Sequence, residues 1–233
     1  MSARLILWDV DHTLLELHQL HYDLYAQALP AAFGREVDEL PDMTGRTDRD
    51  SSTEYLQRHG IEPSDENLAR FWATLVEQFD AVQHKLPQIG KTTHGAQTTL
   101  GVLTDVPDLY QTVLTGNIRA LAERKLAAFT LDKYLDFDIG GYGEDNMIRS
   151  ELVTTARTRL ATNYHVTVDP ACTVLIGDTP RDIEAARASG ARIIAVATGK
   201  STSEELANYG ADFVIDDLTN PQQVLDALGS TVK

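Results

Sequence analysis

Two aspartates near the N-terminus are the side chains of this sequence best placed to do chemistry. Asp9 and Asp11 directly follow the apolar run LILW at residues 5–8. In an extended segment, side chains two residues apart point the same way, so these carboxylates would share a small volume. Such a pair could hold a divalent cation, or one carboxyl could be ionised and the other protonated for base and acid roles. A pair of solvated turn residues or helix caps would look the same in sequence.

The elements that would position these aspartates alternate along the chain. The run at residues 5–8 is too short and too uniformly apolar for an amphipathic helix, and it predicts a strand buried on both faces. From about residue 93, strands and helices alternate, with strands predicted at 109–115, 137–140, 173–176, 192–197 and 212–215. The predicted fold class is therefore α/β, a Rossmann-like parallel sheet with helices on both faces. Residues 16–85 contain no convincing strand and are interpreted as a helical insertion, whose long helix is capped by Ser64.

In such a sheet, ligands bind beyond the carboxyl ends of the strands, where the strand order reverses. The predicted strand ends carry acids, a hydroxyl and one cation: Asp9, Asp11, Thr115, Gly116, Asn117, Arg149, Asp178 and Asp182. Thr115 and the start of the next helix would suit a phosphate group, although Asn117 is equally interpreted as an ordinary N-cap. Asp178 and Asp182 with Asp9 would form an oxygen-rich site of the kind that Mg²⁺ prefers. Asp182 by itself could serve only to offset a helix dipole.

Composition narrows the class of partner. The formal net charge of -15 argues against a nucleic-acid partner, because polyanion binding needs clustered Lys and Arg. The single cysteine, Cys172, rules out an intrachain disulfide and fits a reducing compartment. No charged-then-apolar leader follows Met1 and no apolar run approaches membrane-spanning length, so a cytoplasmic protein without a membrane partner is expected. His18 and His21 lack a matching set of ligands and are interpreted as surface or half-buried residues.

The order of these motifs resembles that of the haloacid dehalogenase-like (HAD) hydrolase superfamily. The matching segments are WDVDHTLL, VLTGN, a basic residue and GDTPRDIEAARASG, and together they span nearly the whole chain. The resemblance implies that Asp9 is a nucleophile that becomes an aspartyl-phosphate and that Asp11 is the general acid and base. It also implies Mg²⁺ held by Asp9, the Asp11 backbone carbonyl and Asp178, with Asp182 orienting waters, and a phosphate site of Thr115, Gly116, Asn117 and the basic residue.

Two positions depart from the family pattern. His12 stands where members usually have glycine, and we interpret it as an inert packing substitution, with a proton-sensitive contact as the alternative. The basic residue is usually a lysine followed by proline, whereas here Arg149 is followed by Ser150. Arg149 has the right place and could hold phosphate through two hydrogen bonds. Lys125 is the alternative, but it lies two turns into its helix, roughly 12 Å from the Asn117 end, and would need an unusual path to the site.

The insertion resembles the small helical cap of the phosphoglycolate phosphatase and β-phosphoglucomutase branch. This resemblance implies a core of residues 1–15 and 86–233 and a cap of residues 16–85 that closes over the site. Arg46 or Arg49 would contact a second anionic group of the substrate, with a solvated arginine as the alternative for either. The expected function is Mg²⁺-dependent hydrolysis of a small phosphorylated metabolite by a monomer or homodimer. The alternatives are a phosphosugar mutase and a non-catalytic binding module on the same fold.

Overall fold

The computed structural model describes residues 3–17 and 19–229 of the chain. In these ranges the strands are β1 (Arg4–Trp8), β2 (Leu15–Glu16), β3 (Lys91–Thr92), β4 (Leu109–Val113), β5 (Thr173–Gly177), β6 (Arg192–Val196) and β7 (Phe213–Ile215). Five of them form one sheet in the order β4-β1-β5-β6-β7, and every neighbouring pair is parallel. β2 and β3 form a separate antiparallel pair. The predicted α/β fold with a parallel sheet is confirmed.

The central strand β1 is buried on both of its faces, as its sequence predicts. Ile6 and Trp8 belong to one cluster of buried apolar side chains, and Leu5 and Leu7 belong to another. All four side chains are fully buried. Successive side chains of a strand point to opposite faces of its sheet, so each cluster covers one face. The chain can therefore turn polar only beyond Trp8, at the carboxyl end of the strand.

The helices cover both faces of this sheet. They are α1 (Leu20–Phe33), α2 (Asp48–Arg58), α3 (Asp65–Val82), α4 (Leu86–Ile89), α5 (Ala96–Thr104), α6 (Arg119–Ala128), α7 (Arg149–Tyr164), α8 (Pro180–Ser189), α9 (Ser203–Tyr209) and α10 (Pro221–Gly229). Buried residues of α5, α6 and α10 pack in the cluster that contains Trp8, whereas those of α7, α8 and α9 pack in the cluster that contains Leu7. Helices on both faces of a parallel sheet are what the alternating pattern predicted.

Several helix ends are fixed by the residues that the sequence singles out. The Ser64 hydroxyl accepts the backbone N–H of Asn67 at 3.3 Å, which caps α3 as predicted. At the start of α8, the Thr179 side chain accepts the N–H of Asp182, and the Asp182 carboxylate accepts the N–H of Thr179. Gly190 ends the same helix at φ 70°, a left-handed conformation that glycine adopts without strain.

Three details differ from the sequence prediction. Residues 137–140 were expected to form a strand, but Phe137–Ile139 form a 3-10 turn, because the Asp136 carboxylate accepts the N–H of Asp138 and bends the chain. Helix α1 continues through Pro30, its expected end, and stops before Gly34 at φ 62°. Helices α4, α5 and α9 and the short strands β2 and β3 were not identified from the sequence. None of these differences alters the parallel sheet.

The strand order reverses beside β1. The chain passes from β1 to β4 on one side and later to β5 on the other. This reversal opens a crevice at the carboxyl ends of the three strands, which is where ligands bind in open parallel sheets. Helices α1, α2 and α3 lie between β2 and β3 in the chain, and we call them the helical module. Among the described residues, no helix is both long enough and apolar enough to span a membrane.

Candidate active site

The turn after β1 places both aspartates at the edge of the sheet. The Asp9 N–H donates to the carbonyl oxygen of Ile176 in β5 at 2.8 Å and so extends the sheet ladder past the strand. The turn then closes with the His12 N–H donating to the Leu15 carbonyl at 2.7 Å. His12 adopts φ 66°, in the left-handed region that glycine occupies most easily. Glycine, which is usual here in the family that the motifs resemble, would adopt this conformation without strain, and in this chain histidine adopts it.

Asp9 lies in a buried cluster of three carboxylates with one guanidinium. Oxygen atoms of Asp9, Asp178 and Asp182 lie within 4.8 Å of one another. Nη2 of Arg149 donates to Oδ1 of Asp9 and to Oδ1 of Asp182, each at 2.7 Å. Burial raises the pKa of Asp9 to about 7, which Arg149 only partly offsets. Burial and the neighbouring Asp9 also raise the pKa of Asp178 well above its usual value. The cluster therefore carries more negative charge than Arg149 can balance.

The donor atoms of this cluster suit a hard divalent cation. Carboxylate oxygens are the ligands that Mg²⁺ prefers, and a cation would relieve the repulsion that raises these pKa values. Asp182 has both oxygens engaged, since Oδ1 accepts Arg149 while Oδ2 accepts the N–H and hydroxyl of Thr179 at 3.0 and 2.7 Å. Asp178 accepts one bond from the Thr13 hydroxyl at 3.2 Å. Asp9 and Asp178 are thus better placed to ligate a cation directly than Asp182.

Asp11 lies beside a second, separate cation. Nζ of Lys125 is 2.9 Å from each carboxylate oxygen of Asp11 and 2.7 Å from Oδ1 of Asn117. Lys125 was expected to need an unusual path to the site, yet its ammonium contacts Asp11 directly. Helical side chains lean toward the N-terminus of their helix, and the long lysine stem crosses the remaining distance. Burial raises the pKa of Asp11, but Lys125, His21 and Asn117 outweigh it and lower the pKa to about 2.

The loop after β4 brings Thr115, Gly116 and Asn117 beside Asp11. Nδ2 of Asn117 donates to Oδ2 of Asp11 at 2.6 Å and to the Thr115 hydroxyl at 2.7 Å. Thr115 and Asn117 are 1% and 3% exposed. Helix α6 begins at Arg119 with residue 118 as its N-cap, so the interpretation of Asn117 as an ordinary N-cap was wrong. Tertiary contacts have turned its side chain toward Asp11 instead.

Protein carboxylates occupy the first amides of α6. The N–H of Ile118 donates to Asp48 at 2.8 Å, and the N–H of Arg119 donates to the Glu144 carboxylate at 2.8 and 3.0 Å. The Asp48 N–H in turn donates to the Gly116 carbonyl at 2.7 Å. A ligand phosphate would therefore meet the loop before α6 rather than the N-terminus of the helix. These bonds also attach the start of α2 to the core.

One cavity of about 180 Å³ collects most of the predicted site residues. Its core side is lined by Asp9, Asp11, Thr115, Gly116, Asn117, Arg149 and Asp178, and its other side by residues that include Leu17, His21, Tyr22, Met43 and Arg46. A larger open groove of about 750 Å³, which includes Tyr110 and Glu123, is lined by none of these residues. The smaller cavity is the candidate active site because Asp9 and Asp178 of the acidic cluster line it together with Asp11, the partner of Lys125. Its volume suits only a small ligand.

The two candidate specificity arginines lie in different places. Arg46 lines the cavity, and its guanidinium is held by Asp50 at 2.6 Å and Glu54 at 2.5 Å. Arg49 is not among the residues that line the cavity. It donates to the Glu144 carbonyl at 2.8 Å and pairs with Asp65 at 3.1 Å. Arg46 is therefore near enough to meet a ligand, whereas Arg49 joins the helical module to the core.

Three residues near the cavity were missed from the sequence. His21 lines it, is half-buried as expected, and has Nε2 2.9 Å from Oδ1 of the buried Asp48. The neighbouring His18 lies outside the described residues. Lys200, in the loop after β6, also lines the cavity. First-turn acids such as Asp48 are common at helix starts, so spacing could not single it out. No sequence signal marked Lys200.

Comparisons with known proteins agree with this geometry. A family model described as HAD-hydrolase-like matches residues 149–221, a segment that contains Arg149, Asp178 and Asp182. A relative from Caldanaerobacter subterraneus subsp. tengcongensis, named "Putative pyrophosphatase PpaX", is 24% identical over 224 residues, which cover 94% of this chain and 92% of the relative.

Solved structures share the fold along nearly the whole chain. A β-phosphoglucomutase from Clostridium difficile has a TM-score of 0.70 at 14% identity and covers 98% of both chains. A HAD hydrolase of family IA, variant 3, from Entamoeba histolytica has a TM-score of 0.70 at 18% identity, covering 99% of this chain and 100% of that chain. A structure described as a predicted phosphoglycolate phosphatase, from Haemophilus somnus, has a TM-score of 0.65 at 16% identity, covering 97% and 99%. The family model in residues 149–221 thus agrees with the resemblance to the HAD-like hydrolases that the motifs predict, and the solved structures show that the chain shares their fold.

Proposed function

We propose that this chain is a Mg²⁺-dependent phosphatase that hydrolyses a small phosphorylated metabolite through an aspartyl-phosphate on Asp9. The observation that carries the proposal is that the two aspartates of one turn pair with two different cations. Asp9 pairs with Arg149, while Asp11 pairs with Lys125 at the same end of one cavity. Two carboxylates with different cations can take different chemical roles. Two relatives, one named a putative pyrophosphatase and one described as a predicted phosphoglycolate phosphatase, support the same reaction class.

Asp9 is the nucleophile in this proposal. Its carboxylate attacks phosphorus in line with the departing oxygen, so an Asp9–phosphorus bond forms as the ester bond breaks. The attack requires ionised Asp9, and burial opposes ionisation. Mg²⁺ held by Asp9, Asp178 and the Asp11 backbone carbonyl would supply the charge that favours the ionised form and neutralises the phosphate. Asp182 would not contact the substrate. It would orient Arg149 and the waters bound to Mg²⁺.

Asp11 transfers the proton in both steps. Its side chain is 35% exposed and lines the cavity, so a ligand oxygen can reach it. Because the pKa of Asp11 is lowered to about 2 in the free chain, Asp11 must first take up a proton as the anionic substrate binds. It then gives this proton to the leaving oxygen, and the resulting carboxylate takes a proton from the water that cleaves the aspartyl-phosphate. The transferring phosphoryl group would be held by Arg149, Thr115 and the amides of Gly116 and Asn117.

The helical module would select the leaving group. We assign a cap to residues 16–85 and a core to residues 1–15 and 86–233, because the cavity lies between these two parts. A volume of about 180 Å³ admits a phosphoryl group with a few further atoms. Arg46 is the candidate for contact with a second anionic group. Arg49, the other candidate, would act only through the attachment of the module, because it does not line the cavity.

Phosphate release from a panel of small phosphomonoesters, measured with Mg²⁺ and with EDTA, tests the proposal. We expect Mg²⁺-dependent turnover, and Asp9→Asn should lower it by roughly 10⁴-fold or more because the nucleophile is gone. The matched control is Asp145→Asn, an aspartate paired with Arg159 away from the cavity. Conversion of a sugar phosphate into its isomer without phosphate release would favour the mutase alternative, which the name of the Clostridium difficile relative raises. Ligand binding without turnover would favour a non-catalytic module.

A further inference from the structure

Lys125 is a buried cation to which no role in the proposed reaction has been given. The residue is 0% exposed and lies on α6, with Leu121, Ala122 and Leu126 among its buried neighbours along the helix. A lysine ammonium has three N–H donors. Here they face three acceptors: both carboxylate oxygens of Asp11 and the amide oxygen of Asn117. The ammonium is therefore fully committed to these two side chains.

The fold alone does not require a charge at this position. Burying an ammonium costs several kcal/mol of solvation before its partners compensate, and an apolar side chain of similar volume is often as stable or more stable. The buried face of α6 is otherwise apolar, so methionine or leucine would suit it. A lysine here gains most if its charge acts on the group that it contacts. That group is Asp11, whose side chain lines the cavity.

The contacts of Lys125 fix the orientation of the Asp11 carboxylate. Nζ bridges both oxygens, which prevents rotation of the carboxylate about its own axis, and Nδ2 of Asn117 holds one of the same oxygens at 2.6 Å. Asn117 in turn bonds the Thr115 hydroxyl at 2.7 Å. One connected network thus ties Asp11 to the loop that we assign to the phosphoryl group. A shift of about 1 Å in such a group can cost on the order of 100-fold in rate.

We propose that Lys125 is a positioning residue that holds Asp11 in the orientation for proton transfer to the leaving oxygen, and this rests on the proposed phosphatase function. Lys125 keeps its own protons throughout. The proton that reaches the leaving oxygen comes from Asp11 and is replaced from the attacking water in the second step. Arg149 has the corresponding place beside Asp9, so each carboxylate has its own cation. The roles of Arg149 and Lys125 should then be distinguishable, because removing each should affect a different set of substrates.

Two substrates of nearly the same size distinguish this role from a structural one. Acetyl phosphate releases acetate, which leaves as a stable anion, whereas ethyl phosphate releases ethanol only if its oxygen is protonated. For Lys125→Met, kcat/KM for ethyl phosphate should fall by roughly 100-fold, while that for acetyl phosphate stays within about fivefold of wild type. The values to compare are those of kcat/KM, because this parameter reports only the steps up to and including the departure of the leaving group.

Three further variants complete the experiment. Arg124→Met removes a cation from the same helix, paired with Asp80 at the surface, and should leave both values of kcat/KM unchanged. In an Asp11→Asn background, Lys125→Met should lower kcat/KM for ethyl phosphate by no more than about twofold, since its partner is already lost. Lys125→Gln keeps an N–H donor and replaces Lys125→Met if that variant does not unfold cooperatively.

Each outcome decides the proposal. Equal losses on both substrates, or a full additional loss in the Asp11→Asn background, would overturn it, because Lys125 would then act on the fold or on another group. If neither Lys125 variant folds, the residue serves the fold and the proposal fails. If wild type releases no phosphate from these two substrates or from any member of the panel, the phosphatase function fails and takes this proposal with it. Normal wild-type turnover with a non-selective Lys125 variant leaves the phosphatase function intact.

Discussion

Asp9 and Asp11 leave the same turn two residues apart, yet their surroundings shift their pKa values in opposite directions. On the Asp9 side, which also contains Arg149, Asp178 and Asp182, burial raises the pKa of Asp9 to about 7. On the Asp11 side, which also contains Lys125 and Asn117, burial again raises the pKa. There Lys125 and His21 outweigh burial and lower the pKa of Asp11 to about 2.

The opposite pKa shifts of Asp9 and Asp11 arise from the number of carboxylates that share each cationic side chain. Arg149 serves two carboxylates directly and has a third beside them, so the Asp9 side has excess negative charge. Lys125 serves one carboxylate and one neutral amide. Burial is common to both sides and therefore does not decide the sign of the shift. The Asp9 side would need a further cation, such as the proposed Mg²⁺, to balance its charge, whereas the Asp11 side is already balanced by the chain itself.

Among the variants that test this comparison, those that remove the guanidinium of Arg149 from the Asp9 side should have the largest effect. Arg149→Ala should lower kcat/KM for acetyl phosphate and ethyl phosphate together, by roughly 10²–10³-fold, because the phosphoryl group is common to both substrates. Arg149→Lys retains the charge without the planar fork and should give an intermediate value. Phosphate release with both substrates is the measurement. A loss confined to ethyl phosphate would show that the two cations do not divide their work between phosphoryl and leaving groups.

A smaller effect should appear in stability without any substrate. Because the pKa of Asp9 is raised, the folded chain binds more protons than the unfolded chain between about pH 4 and pH 7. The free energy of unfolding in EDTA should therefore fall as pH rises through this window, by an amount on the order of a few kcal/mol. Asp178 acts in the same direction. Mg²⁺ should remove much of the fall, since it stabilises the ionised carboxylates.

Urea unfolding across this pH window, with EDTA or with Mg²⁺, measures the effect. Burial also raises the pKa of Glu144 to about 7, so Asp9→Asn is needed to isolate the share of Asp9 and should reduce the slope. The Asp11 side contributes stability that is lost only below this window, as pH falls toward 2. A stability in EDTA that rises between pH 4 and 7 would mean that Arg149 keeps Asp9 ionised, and the two sides would not differ as described.

The smallest expected effect extends the comparison to the cations of the helical module. Arg46→Met should raise the KM for phosphoglycolate, which has a second anionic group, by roughly tenfold or less, because Asp50 and Glu54 already share the charge. The KM for ethyl phosphate should change little. Arg49→Met is the matched control and should leave the ratio of the two KM values unchanged, because Arg49 does not line the cavity. A selective rise with Arg49→Met instead would show that the module moves Arg49 to the substrate.

Much of the fold and of the acidic set could be predicted from local sequence. The buried run before Asp9 and the apolar strand before Asp178 identify two strand ends, since the pattern and its break are both local. That these two strands are neighbours comes from the structure. The 3-10 turn at Phe137–Ile139 could not be separated from a strand, because the three-residue segment Phe-Asp-Ile is too short to establish a period. Asn117 was interpreted as a cap for a similar reason. Its position beside a helix start is local, whereas its bond to Asp11 is not.

The sequence by itself determined which acids stand at the strand ends and, through their order, the resemblance to the HAD-like hydrolases. Only the tertiary structure decided which cation faces which acid. Asp9 meets a guanidinium 140 residues away and Asp11 meets an ammonium 114 residues away. Such pairs depend on how helices pack across the sheet and on the reach of long side chains, neither of which leaves a periodic trace in the sequence. Distance along the helix alone suggested that Lys125 lies far from the site. The structure places its ammonium beside Asp11, so Lys125 is the residue whose interpretation changed most.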